Sequence, residues 1–252
     1  MKSLNKTGWI AVFVISAFIY SAIFGSNEEP TPVPTPTPSV TQTPPEEIET
    51  PEELEQPEEA KPKRRGQALR ALAEIPIKGR APQTGYAREL FASDWQSFNG
   101  CDMRNRILFR DLVQISYRSG SSCIIETGVL NDPFTGQVIG FQRGVRTSLD
   151  VQIDHVVSLS DAWQKGAQQL SASQRFTFYN DPLNLLAVWG PANSQKSDSD
   201  AASWLPSNKG FRCAFVARQI AVKGKYALWV TQAEHDSMTR VLSSCPRQRL
   251  PG

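Results

Sequence analysis

The N-terminal part of this chain of 252 residues limits where a fold can form. Residues 7–27 carry no charge, are rich in Ile, Val, Phe and Ala, and lie between Lys6 and Glu28. Residues 28–65 are rich in Pro, Thr and Glu. Such a composition favours an extended, disordered linker and supplies no apolar core. We therefore expect the globular domain in residues 66–252.

The apolar segment predicts export by one of two routes. Its length is near the lower limit for a membrane-spanning helix, and the lysines before it would keep that end in the cytoplasm. Residues 1–27 also fit a cleaved signal peptide, for which Ile23-Phe24-Gly25 is the best cleavage pattern. Either route places the rest of the chain outside the cytoplasm, secreted or tethered to the outer face of the membrane.

The domain contains four cysteines, Cys101, Cys123, Cys213 and Cys245. An even number of cysteines in an exported domain predicts two disulfides. Three pairings are possible, and we favour Cys101–Cys123 with Cys213–Cys245 because each pair brackets one compact stretch. No C-x-x-C spacing is present, which argues against a structural zinc site.

The formal net charge of +2 hides an uneven distribution. Ten glutamates lie between residues 28 and 60, where there is no Lys or Arg. Residues 61–252 then hold 25 Lys and Arg against 15 Asp and Glu, a net charge of +10. An exported domain with this balance favours a polyanionic partner such as nucleic acid, although anionic membranes and cell-wall polymers would also attract it.

The hydrophobic patterns predict an α+β domain that is mostly helical. Helices are expected over residues 67–75, 86–95, 161–165, 173–179, 192–196 and 211–228, and from a capping box at Thr231 to about residue 245. Strands are expected over 123–129, 137–143, 149–157 and 184–189. The turn sequence of residues 131–136 joins the first two strands into a predicted hairpin.

One of the two histidines, His155, directly follows Asp154 in the strand-like run of residues 151–157. An imidazole whose pKa lies near neutrality suits the base that takes a proton from water. A carboxylate is a hard oxygen ligand that suits Mg²⁺. Because neighbouring strand side chains point to opposite faces, both residues can serve one site only if the strand breaks or twists between them.

The pair Asp154-His155, followed by Asn184 and then by Asn193 with Lys196, resembles the HNH nuclease superfamily and its ββα-metal motif. Residues 153–206 are more closely similar to exported HNH-type proteins related to the C-terminal domain of GmrSD restriction endonucleases. The similarity extends over roughly residues 67–245.

This resemblance implies a short β-hairpin and a helix around one divalent metal ion, Mg²⁺ first and Mn²⁺ as the alternative. His155 would be the general base, and Asp154 and Asn193 would hold the metal. Asn184 would orient the loop of His155, and Lys196 would contact a substrate phosphate. Asn193 departs from the histidine that the superfamily's name suggests at this position, which leaves the identity of the metal open.

The expected function is an exported, metal-dependent endonuclease that cleaves DNA, or RNA, with little sequence specificity. No helix-turn-helix or zinc finger is visible that would read a sequence. The alternative is a catalytically silent surface module that binds DNA or another anionic polymer. No small-molecule organic cofactor is expected, and the sequence gives no oligomeric state. Weaker phosphate-contact candidates, each more often structural, are Arg104, Arg110, Arg143 and Arg146.

Overall fold

The computed structural model describes residues 66–251, in which seven α-helices surround three small antiparallel sheets. The helices are α1 Gln67–Glu74, α2 Met103–Asp111, α3 Leu159–Gln164, α4 Ala172–Tyr179, α5 Gly190–Lys196, α6 Arg212–Lys225 and α7 Gln232–Ser243. The strands are β1 Ser97–Phe98, β2 Cys101–Asp102, β3 Leu112–Tyr117, β4 Ile125–Asn131, β5 Val138–Gln142, β6 Val151–His155 and β7 Leu185–Trp189. This mixture confirms the expected content of helices and strands.

The sheets pair as β1-β2, β3-β4-β5 and β6-β7. The predicted hairpin is confirmed, because β4 and β5 are antiparallel neighbours on either side of the turn. In the third sheet Val151 lies opposite Trp189 and His155 opposite Leu185, in regular register throughout. The third sheet carries the residues that the sequence marks as a site.

Helix α5 begins where β7 ends, without a loop. Gly190 makes this possible, because a Cβ there would collide with the carbonyl oxygen of Leu149. Pro191 then occupies the first turn, where its missing N–H costs nothing and its fixed φ suits a helix. The tight junction packs α5 against β6 as well as β7.

The connection between β6 and β7 corrects one expectation, since it is not a short hairpin. Residues 156–184 contain α3, a 3-10 turn at Ala167–Gln169 and α4. This excursion packs in a separate apolar cluster, in which Trp163, Phe178 and Leu159 lie with Phe91 and with Val222 of α6. Antiparallel strands can pair across such an insertion when the inserted helices bury their own apolar faces.

The β6-β7 pair lies between two other apolar clusters. One face contributes Val151 and Ile153 to a cluster with α2 and the β3-β4-β5 sheet. The other contributes Leu186 and Val188 to a cluster built from α1, α5, α6 and α7. Burial on both faces fixes the register of the pair, because a slip of one residue would exchange the two sets.

Both favoured disulfides are present, and the described residues contain no free cysteine. Cys101–Cys123 joins β2 to the segment before β4, and Cys213–Cys245 joins α6 to the chain after α7. Within residues 66–251 no helix has the length and apolar character needed to cross a membrane. The predicted targeting segment 1–27 and linker 28–65 lie outside the described residues.

Two local predictions are wrong. Residues 86–95 form only a 3-10 turn, Arg88–Leu90, because Tyr86, Phe91 and Trp95 all pack on one apolar cluster, which their spacing on a helix would not allow. At the start of α7 the Thr231 hydroxyl accepts from the Glu234 N–H at 3.2 Å, but no capping box closes. The Glu234 carboxylate points inward to buried lysines instead.

Glu234 belongs to a network of six charged side chains, three cationic and three anionic. Lys165 is completely buried and its Nζ lies 2.6 Å from Asp161, 2.7 Å from Asp200 and 2.6 Å from Glu234. Lys223, also completely buried, contacts Asp161 and Glu234, and Arg80 contacts Asp161 and Asp200. The network joins α3, α6, α7 and two loops.

The network holds its charges in place because every buried ion faces more than one partner. Burial alone would lower the pKa of Lys223, but the carboxylates of Asp161 and Glu234 outweigh it and raise that pKa. Burial would likewise raise the pKa of Asp161, and the ammonium groups of Lys223 and Lys165 lower it instead. Lys223 and Asp161 therefore stay ionised at neutral pH.

Removing one cation from the network should destabilise the domain strongly. We expect Lys165→Met to lower the free energy of unfolding by about 3–5 kcal/mol, because buried carboxylates lose a counter-charge. Urea denaturation measures the change. The exposed Lys209 is a matched control, and Lys209→Met should change stability by no more than about 0.5 kcal/mol. Equal, small effects of the two substitutions would contradict the importance of the network.

Candidate active site

Three of the five predicted site residues, Asp154, His155 and Asn193, line one open cleft of about 380 Å³. Asp154 and His155 come from the end of β6, and Asn193 from α5. The other two, Asn184 and Lys196, are completely buried. The structure thus brings the set together in two layers, one facing the cleft and one behind it.

The predicted distortion between Asp154 and His155 is absent. The ladder stays regular through both, with Asp154 opposite Leu186 and His155 opposite Leu185. Both side chains nevertheless line the cleft, because His155 is the last residue of the strand. Asp154 reaches the cleft from the face of the strand that packs on α5, and His155 reaches it at the strand end.

The tautomer of His155 is set by its one hydrogen bond. Nε2 lies 2.9 Å from the carbonyl oxygen of Tyr179, which can only accept, so Nε2 carries the proton. Nδ1 then holds a free lone pair. Nδ1 forms no hydrogen bond within the described chain. It is also not one of the solvent-inaccessible side-chain atoms that lack a hydrogen-bond partner. The lone pair therefore opens on the cleft.

Two aromatic rings, which also contact each other, pack against the imidazole. The Trp95 ring stacks on it at 5.8 Å between centroids and 13° between planes, and the Tyr179 ring lies at 4.8 Å. Burial, assisted by the positive charges of Arg88 and Lys196, lowers the pKa of His155 to about 3, although the hydrogen bond to Tyr179 opposes the shift. His155 is therefore neutral at physiological pH and can accept a proton.

Lys196 does not lie where a phosphate contact needs it. Its buried Nζ donates to Asp154 Oδ1 and to the carbonyl oxygen of His155, each at 2.9 Å. The family resemblance implied a substrate contact for Lys196, which requires an exposed side chain. Here the helix carries Lys196 inward, where it neutralises Asp154 and holds the main chain of His155.

The second carboxylate oxygen of Asp154 is left without a partner. Oδ2 is buried, and no hydrogen-bond donor within residues 66–251 reaches it. Burial raises the pKa of Asp154, while the charge and hydrogen bond of Lys196 act in the opposite direction. A buried oxygen without a partner is costly, and a cation or an ordered water at the cleft would satisfy it.

Asn193 is oriented by a relay through Gln152. The Gln152 Nε2 donates to the Leu149 carbonyl at 3.3 Å, which leaves Oε1 to accept from Asn193 Nδ2 at 2.8 Å. The amide oxygen of Asn193 therefore faces away from Gln152, and it has no partner in the described residues. Asn193 thus offers the cleft an oxygen, the atom type that a hard divalent cation binds.

Asn184 acts on the main chain that follows His155. Its Oδ1 accepts from the Val157 N–H at 2.8 Å, and its Nδ2 donates to the Val157 carbonyl at 3.2 Å. Its own carbonyl accepts from the Val156 N–H at 2.8 Å. These bonds fix the turn from β6 into α3, and the predicted role of orienting the His155 loop is compatible with them.

The sequence motifs do not mark the residues that position the site side chains. Tyr179 and Trp95 contact His155, Gln152 orients Asn193, and Arg88 lines the cleft. No sequence spacing to the Asp-His pair marks any of these residues. The weaker candidates Arg104, Arg110 and Arg143 have structural roles, because each donates to main-chain carbonyl oxygens. The described residues contain no cluster of three or more His, Cys, Asp or Glu that could hold a metal.

Residues 102–241 match the family described as the C-terminal domain of GmrSD restriction endonucleases. A protein of Arthroderma benhamiae described as an uncharacterized secreted protein is 34% identical over 177 residues, which cover 69% of this chain and 82% of that protein. No solved structure matches the chain.

The position of Lys196 can be tested by a double-mutant cycle. Lys196→Met should lower the free energy of unfolding by about 3–5 kcal/mol, because it leaves the Asp154 carboxylate buried without its counter-charge. Asp154→Asn in the same chain should recover part of this loss, since the two groups interact directly. Thermal or urea denaturation measures both. A phosphate contact predicts the opposite, a negligible loss of stability and strictly additive effects.

Proposed function

Because the chain belongs to the family of the C-terminal domain of GmrSD restriction endonucleases, we propose that it hydrolyses phosphodiester bonds of nucleic acid in the cleft beside Asp154 and His155. The observation that carries the proposal is the free Nδ1 of His155, held in one tautomer beside a carboxylate oxygen without a partner. A proton acceptor and a cation ligand at one cleft are what water attack on a phosphodiester needs.

The order of elements supports the proposal. Strand β6 ends with the pair Asp154-His155, β7 follows Asn184, and α5 carries Asn193 immediately after β7. Two antiparallel strands and a helix in this order match the ββα-metal arrangement that the resemblance implies. The long connection between the strands departs from a short hairpin, but it leaves their pairing and the start of the helix unaffected.

A divalent cation fits the residues present. Asp154 Oδ2 and Asn193 Oδ1 would hold it, and two protein ligands are enough for Mg²⁺, which usually keeps several waters. The charged residues that line the cleft are Asp154, Asp198 and Arg88, a formal sum of −1. Such a cleft attracts a phosphodiester poorly until a cation is bound. The bound ion would supply positive charge for the phosphoryl oxygens and lower the pKa of water.

His155 performs the proton transfer in this proposal. Nδ1 accepts a proton from the attacking water while the water oxygen bonds to phosphorus. The bond to the leaving oxygen breaks, and that oxygen departs with the bonding electron pair and takes a proton from solvent. The Nε2–H bond to the Tyr179 carbonyl stabilises the positive charge that forms on the ring. A base whose pKa is held at about 3 is weak. A cation held by Asp154 and Asn193 would compensate by making the bound water more acidic.

DNA is the proposed substrate, with RNA as the alternative, and we expect little sequence preference. The described residues 66–251 hold 21 Lys and Arg against 15 Asp and Glu, a net charge of +6. The two disulfides and the secreted relative support an extracellular location. Tethering to the membrane through residues 1–27 remains a prediction about a segment outside the described residues.

The nuclease activity is tested with the full chain, supercoiled plasmid DNA and Mg²⁺, with nicking followed on gels. We expect His155→Ala to reduce the cleavage rate by about 10²–10⁴-fold, because the reaction loses its base. EDTA should abolish cleavage. The control is His235→Ala, which removes the other histidine, in α7 and outside the cleft, and should keep the wild-type rate.

Equal rates for the wild type and His155→Ala would contradict the proposal, and so would cleavage that EDTA leaves unchanged. A parallel assay with RNA of matched length decides between the two substrates. DNA binding without cleavage under Mg²⁺ or Mn²⁺ would instead support the silent binding module.

A further inference from the structure

Arg88 is the only lysine or arginine of the described chain that lines the cleft. Lys196, the cation expected there from the sequence, is buried behind Asp154. A phosphodiester bound in the cleft would keep its negative charge near His155 and needs a cationic donor from the protein. Arg88 lies before the region that matches the family, so the comparison assigns it no role.

The guanidinium of Arg88 is held by a single residue. One of its nitrogens donates to the Tyr179 hydroxyl at 3.2 Å, and its carbon lies 5.2 Å from the centre of the Tyr179 ring. No carboxylate of the described residues forms an ion pair with Arg88. An arginine has five N–H donors, so most of them stay available for a ligand. Arg88 is thus a positioned cation with free donors.

Tyr179 also positions His155. Its carbonyl oxygen accepts from His155 Nε2, and its ring lies beside the imidazole. Tyr179 is itself buried at the end of α4, which fixes its ring. One residue therefore sets the position of both the proton acceptor and the cation, through its carbonyl oxygen and its hydroxyl respectively.

We propose that Arg88 binds the non-bridging oxygens of the substrate phosphate, and that Tyr179 is the positioning residue that sets Arg88 beside His155. The proposal rests on the proposed function of the cleft. The planar guanidinium suits this ligand, because two parallel N–H groups can meet two phosphate oxygens. Arg104, Arg110 and Arg143 do not compete for the role, since main-chain carbonyls already engage them.

The test measures binding and turnover separately in the full chain. Binding to a DNA duplex is measured with Mg²⁺ in the His155→Ala background over a range of salt concentrations, so that the cleft can hold its cation while cleavage stays slow. Arg88→Ala should weaken binding by about 10–100-fold, the value of a hydrogen-bonded charge, and reduce the slope of log Kd against log salt by about 1. With Mg²⁺, KM for DNA should rise by a similar factor.

Two further variants distinguish a phosphate contact from a structural effect. Tyr179→Phe removes only the hydroxyl and keeps the ring and the carbonyl that accepts from His155, so it should raise KM more than it lowers kcat. The double variant should have the same KM as Arg88→Ala alone, because Tyr179 acts on the substrate only through Arg88. Arg88→Lys keeps the charge, so its affinity for DNA should lie between those of the wild type and Arg88→Ala.

The control is Arg240→Ala, which removes an exposed arginine of α7 outside the cleft. The proposal is overturned if Arg88→Ala and Arg240→Ala give the same affinity and the same salt slope. It is also overturned if the effects of Tyr179→Phe and Arg88→Ala on KM are additive, or if Tyr179→Phe lowers kcat more than it raises KM. Binding that depends on Arg88 in a protein that never cleaves DNA would support this assignment and reject the nuclease activity.

Discussion

The buried ammonium of Lys196 is the interaction on which the candidate site depends. It joins α5 to the carboxylate of Asp154 and to the carbonyl oxygen of His155, so one side chain fixes the strand and the helix relative to each other. Without it the carboxylate would lie buried and uncompensated, which costs several kcal/mol. The six-charge network around Lys165 and Lys223 does the same for the surrounding helices. In the network burial is tolerated because each ion meets more than one partner, whereas the Asp154 carboxylate has Lys196 as its one partner in the described residues.

The site is a set of atoms whose hydrogen-bonding roles are decided by their neighbours. The Tyr179 carbonyl forces the proton of His155 onto Nε2, and the Leu149 carbonyl orients Asn193 through Gln152. What remains for the cleft is a nitrogen lone pair and oxygens without donors. Acceptors of this kind, with one arginine beside them, suit a cation and a water molecule. The site is preorganised by main-chain carbonyl oxygens, which can only accept hydrogen bonds and so fix the orientation of the side chains that donate to them.

Local features of the sequence predicted local structure well. The pair Asp154-His155, the hairpin of β4 and β5 and the two disulfides follow from residue types and short spacings, and the structure contains them. The errors arise where distant packing decides. Glu234 fits a capping box by its spacing, but two buried lysines bind its carboxylate more strongly than a backbone amide would. Lys196 is buried instead of facing the substrate, and Arg88, which no motif marks, lines the cleft, since burial depends on the tertiary fold.

The central claim is that His155 presents an unprotonated Nδ1 to the cleft. Long-range ¹H–¹⁵N NMR of the full chain measures this directly, and His235→Gln leaves a single histidine signal to assign. At about pH 6 an ordinary imidazole, with a pKa of about 6.5, is mostly charged. The structure predicts a neutral ring there, with the proton on Nε2, because burial lowers the pKa of His155. A proton on Nδ1, in the other neutral tautomer or in the charged ring, would contradict the claim.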